Sequence, residues 1–123
     1  MRMWMVEPKA MCRKHLLGEH VEIHMLAGAL RRGRSIAGFV AENLLEPRSA
    51  RTRHAALAAE MTRRGYRHSS PLPSVPTTAG RVDRAAARRD LATRCQTCAA
   101  GLVSHPQIGP RPSQPVSRAP VRA

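Results

Sequence analysis

The sequence predicts an all-α fold: a small single domain of three to four helices, with a central N-terminal helix and a disordered C-terminal tail. Composition supplies two of the observations, since only three of the 123 residues are aromatic and Ala, Leu, Met and Arg outnumber strand-forming residues. Helical spacing of apolar residues over much of the first 64 positions is the third. These features argue against a β-sandwich or a β-barrel.

Two helices are predicted in the first 45 residues. The first covers residues 10–32 and ends at Gly33, a residue that suits a left-handed C-cap. A short second helix is expected over residues 35–45, because Pro47 stops it there.

Two further helices are predicted after Pro47. The third covers residues 49–64, with Ser49 as its N-cap and Gly65 just past its end. A fourth helix is expected over residues 82–95. Small and apolar residues should supply the contacts of the third helix, namely Ala55, Leu57, Ala58 and Met61.

The first helix carries two apolar stripes at about 100° per residue. One stripe holds Leu16, Ile23, Ala27 and Leu30, and the other holds Leu17, Val21 and Met25. A helix with two apolar stripes is expected to pack on two sides. We therefore predict that it is the central element of the domain.

Composition divides the chain into four parts. Residues 1–68 are expected to form the helical core, and residues 69–80, with three prolines among small polar residues, a linker or extended surface strap. Residues 81–104 should add a helix on or near the core. Residues 105–123 hold five prolines and little to bury, so disorder is expected there.

The charge is strongly basic, with 21 Lys or Arg against 8 Asp or Glu and a net charge of +13. Such an excess indicates a polyanionic partner. Arginine dominates, 19 to 2 over lysine, and its guanidinium suits phosphate. For any single Arg cluster, however, a solvated helix surface is the simpler interpretation.

Several classes of protein are disfavoured. No apolar stretch approaches the roughly 20 residues needed to cross a bilayer. The N-terminus lacks an apolar segment of signal-peptide length, because Glu7, Pro8 and Lys9 interrupt it. Three cysteines are an odd set and fit a reducing compartment, so a cytoplasmic protein is expected.

Polar residues of the first helix fall on two faces. His15, Glu19 and Glu22 share one face and form a candidate acid/base site, although the two glutamates could equally pair with local arginines. His20 and His24 share another face and have the spacing of two zinc ligands.

Cysteines near the C-terminal end offer a weaker metal pattern. Cys95 and Cys98 form a CXXC to which His105 could add a third ligand, but there is no second CXXC. Small buried cysteines are the simpler interpretation, and no metal site is expected.

Three stretches share a common order and nearly fixed spacing over residues 1–66. Residues 15–22 read HLLGEHVE, residues 28–32 read GALRR, and residues 53–66 run from RH to RRGY. They resemble the HLxxExxE, GAVRK and RxxxLxxExxxRG-aromatic segments of the phage pyrimidine-dimer DNA glycosylases of the endonuclease V type. That family consists of small helical enzymes that cut DNA at ultraviolet photoproducts.

The resemblance implies two catalytic groups, the terminal amine and a glutamate of the first helix. The family's nucleophile is the α-amine of the first residue, which falls on Met1, and the bulky Arg2 disfavours removal of the initiator methionine. Glu22 matches the catalytic glutamate. The residues expected to contact DNA are Arg2, His15, Glu19, Arg31 and Arg32. The family's two arginines beside that glutamate are replaced by Val21 and Met25.

The implied function is base excision repair by a DNA glycosylase with abasic-site lyase activity on pyrimidine dimers, without a metal or other cofactor. The partner would be double-stranded DNA that contains photodimers or abasic sites, and the protein a cytoplasmic monomer of bacterial or phage origin. Two alternatives remain: a non-catalytic basic helical nucleic-acid-binding protein, and a metal-dependent hydrolase that uses His20 and His24.

Overall fold

The computed structural model describes residues 1–68 and 70–106, and all regular structure in them is helical. The α-helices are α1 (Arg13–Arg31), α2 (Ala37–Ala41), α3 (Ala50–Arg63), α4 (Arg84–Arg94) and α5 (Gln96–Ser104), with 3-10 turns at Pro8–Ala10 and Pro47–Ser49. The all-α prediction is confirmed. The tail for which disorder is expected lies outside the described residues from residue 107 onward. No helix in the described part of the chain combines the length and apolar character needed to cross a membrane.

Both predicted glycine C-caps are confirmed. Gly33 follows α1 with φ +71°, and Gly65 follows α3 with φ +84°, a backbone conformation that favours glycine. Ser49 is the N-cap residue of α3, as predicted, but its hydroxyl donates to the Glu46 carboxylate and makes no capping hydrogen bond. Glu46 is buried and also accepts the backbone N–H of Val82. Its carboxylate binds the Ser49 hydroxyl that could otherwise cap α3.

The predicted fourth helix ends one residue early, and a fifth helix follows at once. Asp83 caps α4 by accepting the Ala86 N–H at 3.0 Å. Cys95 adopts extended backbone between the two helices, and its Sγ accepts the N–H of Cys98 at 3.4 Å. A cysteine that both ends one helix and caps the next has no strong local signal, which is why composition alone missed α5.

Helix α5 packs on the 3-10 turn at Pro8–Ala10, and Gly101 permits the contact. A Cβ atom at Gly101 would lie 2.1 Å from the carbonyl oxygen of Ala10, far inside van der Waals contact. Leu102 and Cys98 of the same helix are buried in the core. The C-terminal helices are therefore closely seated on the N-terminal part of the chain.

The first six residues form a segment without regular structure, and most of its side chains enter the core. Met3, Trp4, Met5 and Val6 are all buried, and the Met3 N–H donates to the Leu44 carbonyl oxygen at 2.9 Å. Because these side chains contribute to the core, the N-terminus is fixed by packing as well as by hydrogen bonds.

Only one apolar stripe of α1 is buried. Leu16, Ile23 and Ala27 are fully buried, whereas Val21 and Met25 are 54% and 52% exposed. Leu17 of the second stripe packs partly against the core, so the prediction that α1 packs on two sides is wrong only for Val21 and Met25.

Helix α3 packs against α1 through part of the predicted set. Leu57 and Met61 are buried and Ala58 is half-buried, but Ala55 is exposed, contrary to the prediction. After α3, residues 70–80 run without regular structure, and Leu72 and Val75 pack partly against the core.

A buried ion pair joins α1, α3 and the N-terminal segment. The guanidinium of Arg53 donates to both carboxylate oxygens of Glu19, at 2.7 and 2.9 Å, and to the Val6 carbonyl oxygen at 2.6 Å. The side chains of Glu19 and Arg53 are 0% and 7% exposed. All three elements therefore share one charged contact inside the protein.

Replacing Arg53 by Met should destabilise the protein by about 3–5 kcal/mol, because the Glu19 carboxylate would be left buried without a counter-charge. Urea unfolding followed by circular dichroism measures the loss. The control is R63A, which removes the more exposed of the two arginines that bind Glu60 and leaves Arg64 in place. Equal losses in R53M and R63A would contradict this account of the buried pair.

Candidate active site at the N-terminus

The N-terminus of the chain lies against the middle of α1. The backbone N–H of Arg2 donates to Oε1 of Glu22, across 20 residues of sequence. The α-amine belongs to the preceding residue, Met1, one peptide unit from this hydrogen bond, and the structure shows no ion pair between that amine and Glu22 itself. Met1 and Glu22 are both half-buried. The structure thus brings together the two residues that the family resemblance marked as catalytic.

Arginines of α3 fix the backbone that leads to this contact. Nη2 of Arg64 donates to the carbonyl oxygens of Met11 at 2.7 Å and Pro8 at 3.2 Å, while Arg53 holds Val6. Glu60 orients Arg64 through a 2.7 Å hydrogen bond. Hydrogen bonds from Arg63, and then from Arg64, lower the pKa of Glu60 to about 2, so its carboxylate stays charged at neutral pH.

The Arg2 side chain is held beside the site. Its guanidinium carbon lies 3.9 Å from the centre of the Trp4 ring, and its Nη2 donates to Asp90 at 2.9 Å. This hydrogen bond with Arg2 lowers the pKa of Asp90. A DNA phosphate that reached Arg2 would therefore compete with the carboxylate of Asp90.

Two residues expected to contact DNA occupy other positions. Glu19 is fully buried on Arg53 and has no surface to offer, so its observed role is to join α1 and α3. His15 is half-buried, with its Nδ1 3.2 Å from Sγ of Cys12 and its ring in edge contact with Trp4. Burial lowers the pKa of His15, with a smaller contribution from Lys14.

Arg31 and Arg32 are both exposed at the end of α1. At about 100° per residue, Arg31 is rotated by about 180° from Glu22, whereas Arg32 is rotated by only about 80°. The same exposed face carries Lys14, Val21 and Met25. Arg32 is therefore the better placed of the two for a substrate bound at Glu22.

Four histidines cluster on the opposite side of α1. Nε2 of His20 lies 2.7 Å from Nε2 of His68, and Nε2 of His24 lies 3.2 Å from Nε2 of His54. The ring nitrogens of His20, His54 and His68 lie within 4.8 Å of one another. The sequence paired His20 only with His24, and it missed His54 and His68 because they come from other parts of the chain.

One member of this cluster, His20, is uncharged at neutral pH. Burial, followed by repulsion from His54, His24 and His68, lowers the pKa of His20 to about 4. Burial and the neighbouring histidines also lower the pKa of His54. His20 and His24 are rotated by about 160° and 200° around α1 from Glu22. The cluster therefore lies on a different surface from the N-terminal site.

A second group of ligand-type side chains lies close to the N-terminal site. Sγ atoms of Cys12, Cys95 and Cys98 and a ring nitrogen of His15 lie within 4.8 Å of one another. The sequence pattern had suggested His105 as a partner of the CXXC, but His105 is exposed and follows the last residue of α5. The structure instead brings Cys12 and His15 to the two C-terminal cysteines.

Comparison with known proteins gives one family match. A family model described as pyrimidine dimer DNA glycosylase matches residues 1–74. This range includes Met1, Glu22 and the arginines of α3, and it ends before α4. No significant match was found among curated proteins or among solved structures.

Lowering the pH should destabilise the wild-type protein more than it destabilises the H20Q variant. The unfolded chain binds a proton on His20 near pH 6.5, whereas the folded protein binds it only near pH 4. Stability from this group is complete above about pH 6.5 and is lost as the pH falls toward 4. Urea midpoints between pH 7.5 and 5 measure the slope.

The control for this measurement is H105Q, which removes an exposed histidine and should keep the wild-type slope. If H20Q declines with pH as steeply as the wild type, the buried histidine cluster is not the source of the pH dependence.

Proposed function

The chain belongs to the pyrimidine dimer DNA glycosylase family, and on that premise we propose that it is a DNA glycosylase with abasic-site lyase activity. The observation that carries the proposal is the hydrogen bond from the Arg2 backbone to Glu22, which holds the residue after the terminal amine against a carboxylate. A terminal amine and a nearby carboxylate are the two groups that Schiff-base glycosylase chemistry requires.

The α-amine of Met1 is the proposed nucleophile. In its unprotonated form an α-amine carries the lone pair that a nucleophile requires. Its lone pair forms a bond to sugar C1′ of the damaged nucleotide, and the electrons of the glycosidic bond leave with the base. One proton then passes from the nitrogen to O4′ as the C1′–O4′ bond breaks, and the opened sugar is joined to Met1 by a protonated imine at C1′.

Glu22 is the proposed acid/base group. As a carboxylate it stabilises the cationic imine and removes a proton from C2′, and the electrons of that C–H bond expel the 3′ phosphate by β-elimination. Its position on the boundary between the core face and the exposed face of α1 suits both tasks, because it touches the N-terminus and still reaches solvent.

The surface beside Glu22 suggests how a damaged nucleotide is received. Val21 and Met25 are both more than half exposed on the face of α1 next to Glu22. Apolar side chains at these positions would contact the sugar and the unstacked bases that a helix-distorting lesion exposes. Lys14 and Arg32 lie on the same face and would hold phosphates on either side.

A non-catalytic nucleic-acid-binding protein is the second candidate. It is favoured by the net charge of +13. It is also favoured by the apolar Val21 and Met25, which stand at positions where the glycosylase family has arginines. Such a protein would bind DNA with strong salt dependence and with no use for the contact between the N-terminus and Glu22.

Borohydride reduction should trap a covalent adduct between the protein and a duplex that contains an abasic site or a pyrimidine dimer. Untagged protein should form the adduct at Met1, as read by mass spectrometry of the N-terminal peptide. Acetylation of the α-amine should abolish both the adduct and strand cleavage, because the lone pair is no longer available. Damage-independent binding without any adduct would favour the second candidate.

E22Q should reduce strand cleavage by about 10²–10⁴-fold, the usual contribution of a positioned acid/base group. The matched control is E42Q, which changes an exposed carboxylate on the short helix that follows α1 and should cleave like the wild type. Equal cleavage by E22Q and the wild type would contradict the assignment of Glu22.

R32A should weaken DNA binding more than R31A, because only Arg32 lies on the Glu22 side of α1. If Arg32 makes one phosphate contact, the slope of log affinity against log salt should fall by about 0.9 in R32A. Fluorescence anisotropy with a labelled duplex at several salt concentrations measures it, and R32K should retain the wild-type slope. A larger change in R31A would place the DNA on the histidine side of α1.

A further inference from the structure

Three cysteines and one histidine converge between the starts of two helices. Cys12 precedes α1 and His15 lies in its first turn, while Cys95 precedes α5 and Cys98 lies in its first turn. Their ligand atoms all lie within 4.8 Å of one another. Each pair has two residues between its members, so each helix start presents two ligands from a single turn.

The distances inside this group fit a tetrahedral metal ion. Sγ of Cys12 is 3.9 Å from Sγ of Cys95, and Nδ1 of His15 is 3.2 Å from Sγ of Cys12 and 3.6 Å from Sγ of Cys98. Zinc bonds of ordinary length in a tetrahedron separate two sulfurs by about 3.8 Å, and a sulfur from a nitrogen by about 3.6 Å.

Backbone N–H groups are directed at all three cysteine sulfurs. Each cysteine sulfur accepts one backbone N–H: Cys12 from His15 at 3.4 Å, Cys95 from Cys98 at 3.4 Å, and Cys98 from Cys12 at 3.3 Å. Donors at a helix start stabilise negative charge on sulfur. These bonds connect the two ligand pairs, since the N–H of Cys12 in one pair binds the sulfur of Cys98 in the other.

The cysteine–histidine group is largely shielded from solvent. Cys98 is 0% exposed, and Cys12 and Cys95 are half-buried. A divalent cation would stabilise all three thiolates together, with release of their protons on binding.

We propose that Cys12, His15, Cys95 and Cys98 bind one zinc ion. Four protein ligands leave no open coordination position, so the site is structural and takes no part in hydrolysis. It goes beyond the glycosylase function, because two of its ligands lie outside residues 1–74, the range of the family match. It also gives His15 a role as a metal ligand in place of the expected DNA contact.

The proposed zinc would link α5 to the start of α1, the helix that carries Glu22. His15 stands seven residues before Glu22 on nearly the same face of α1, about 10 Å along its axis. His15 also contacts Trp4, whose ring lies under the guanidinium of Arg2. The metal would therefore stabilise the segment that carries the Met1 amine without touching the reacting atoms.

Elemental analysis of the untagged full-length protein tests the proposal. We expect one zinc per chain after purification, and on replacement of zinc by cobalt(II) we expect the visible bands of a tetrahedral ion together with thiolate charge-transfer absorption. Chelation should lower the melting temperature of the wild type, since the metal binds only the folded state. Metal-free protein after refolding in zinc, or a Cys12–Cys95 disulfide by mass spectrometry, would overturn the proposal.

Two pairs of variants locate the ion. C95S and H15Q should lose zinc to background, whereas H105Q and H54Q, which change the exposed histidine and the separate histidine cluster, should keep one equivalent. Zinc retained in C95S but lost in H54Q would place the metal at the histidine cluster and refute the assignment. The cobalt spectrum of the wild type decides the case if C95S does not fold, because only cysteine ligands give thiolate bands. Metal content and adduct trapping are independent readouts, so failure of the glycosylase proposal would leave this one intact.

Discussion

The ion pair between Glu19 and Arg53 is the interaction on which the rest of the structure depends. Arg53 satisfies both carboxylate oxygens and the Val6 carbonyl oxygen, so one guanidinium fixes the relative positions of α1, α3 and the N-terminal segment. A buried pair contributes less to net stability than to geometry, since desolvation offsets most of the attraction. Here the geometry matters, because the same segment must bring its first residue to Glu22 with little freedom.

Arginine content therefore overstates the charge available to DNA. Arg53 and Arg64 donate to backbone carbonyl oxygens of the N-terminal half, and Arg88 donates to the Leu102 carbonyl oxygen at 2.8 Å. Arg84 binds the buried Glu46. In a protein with few aromatic side chains, the long arginine side chains do much of the work of joining helices. The exposed face of α1 then holds a smaller number of cations, placed around Glu22.

Local signals in the sequence predicted local structure well. Gly33 and Gly65 ended the helices that they were expected to end, and the spacing of Leu16, Ile23 and Ala27 identified the buried face of α1. Patterns failed where a distant partner decides the outcome. Ser49 turns to Glu46, and the stripe at Val21 and Met25 stays exposed because burial depends on what another element covers.

The same distinction holds for the two candidate sites. Each half of the cysteine–histidine group has readable spacing, but nothing in one sequence reports that residues 12–15 meet residues 95–98. The pairing of Met1 with Glu22 was predicted from a family resemblance rather than from periodicity. The observed contact is made by the Arg2 backbone, in a segment that Arg53 holds and that no local pattern connects to Arg53.

The absence of a side chain at Gly101 has a consequence for how this protein tolerates change. Since even a methyl group there would overlap the Ala10 carbonyl oxygen, the two ends of the described chain meet along a surface with no spare volume. Variation in α5 and in the turn before α1 is therefore not independent. Transplanting the C-terminal helices of one homologue onto the core of another would succeed only where both sides of that contact are exchanged together.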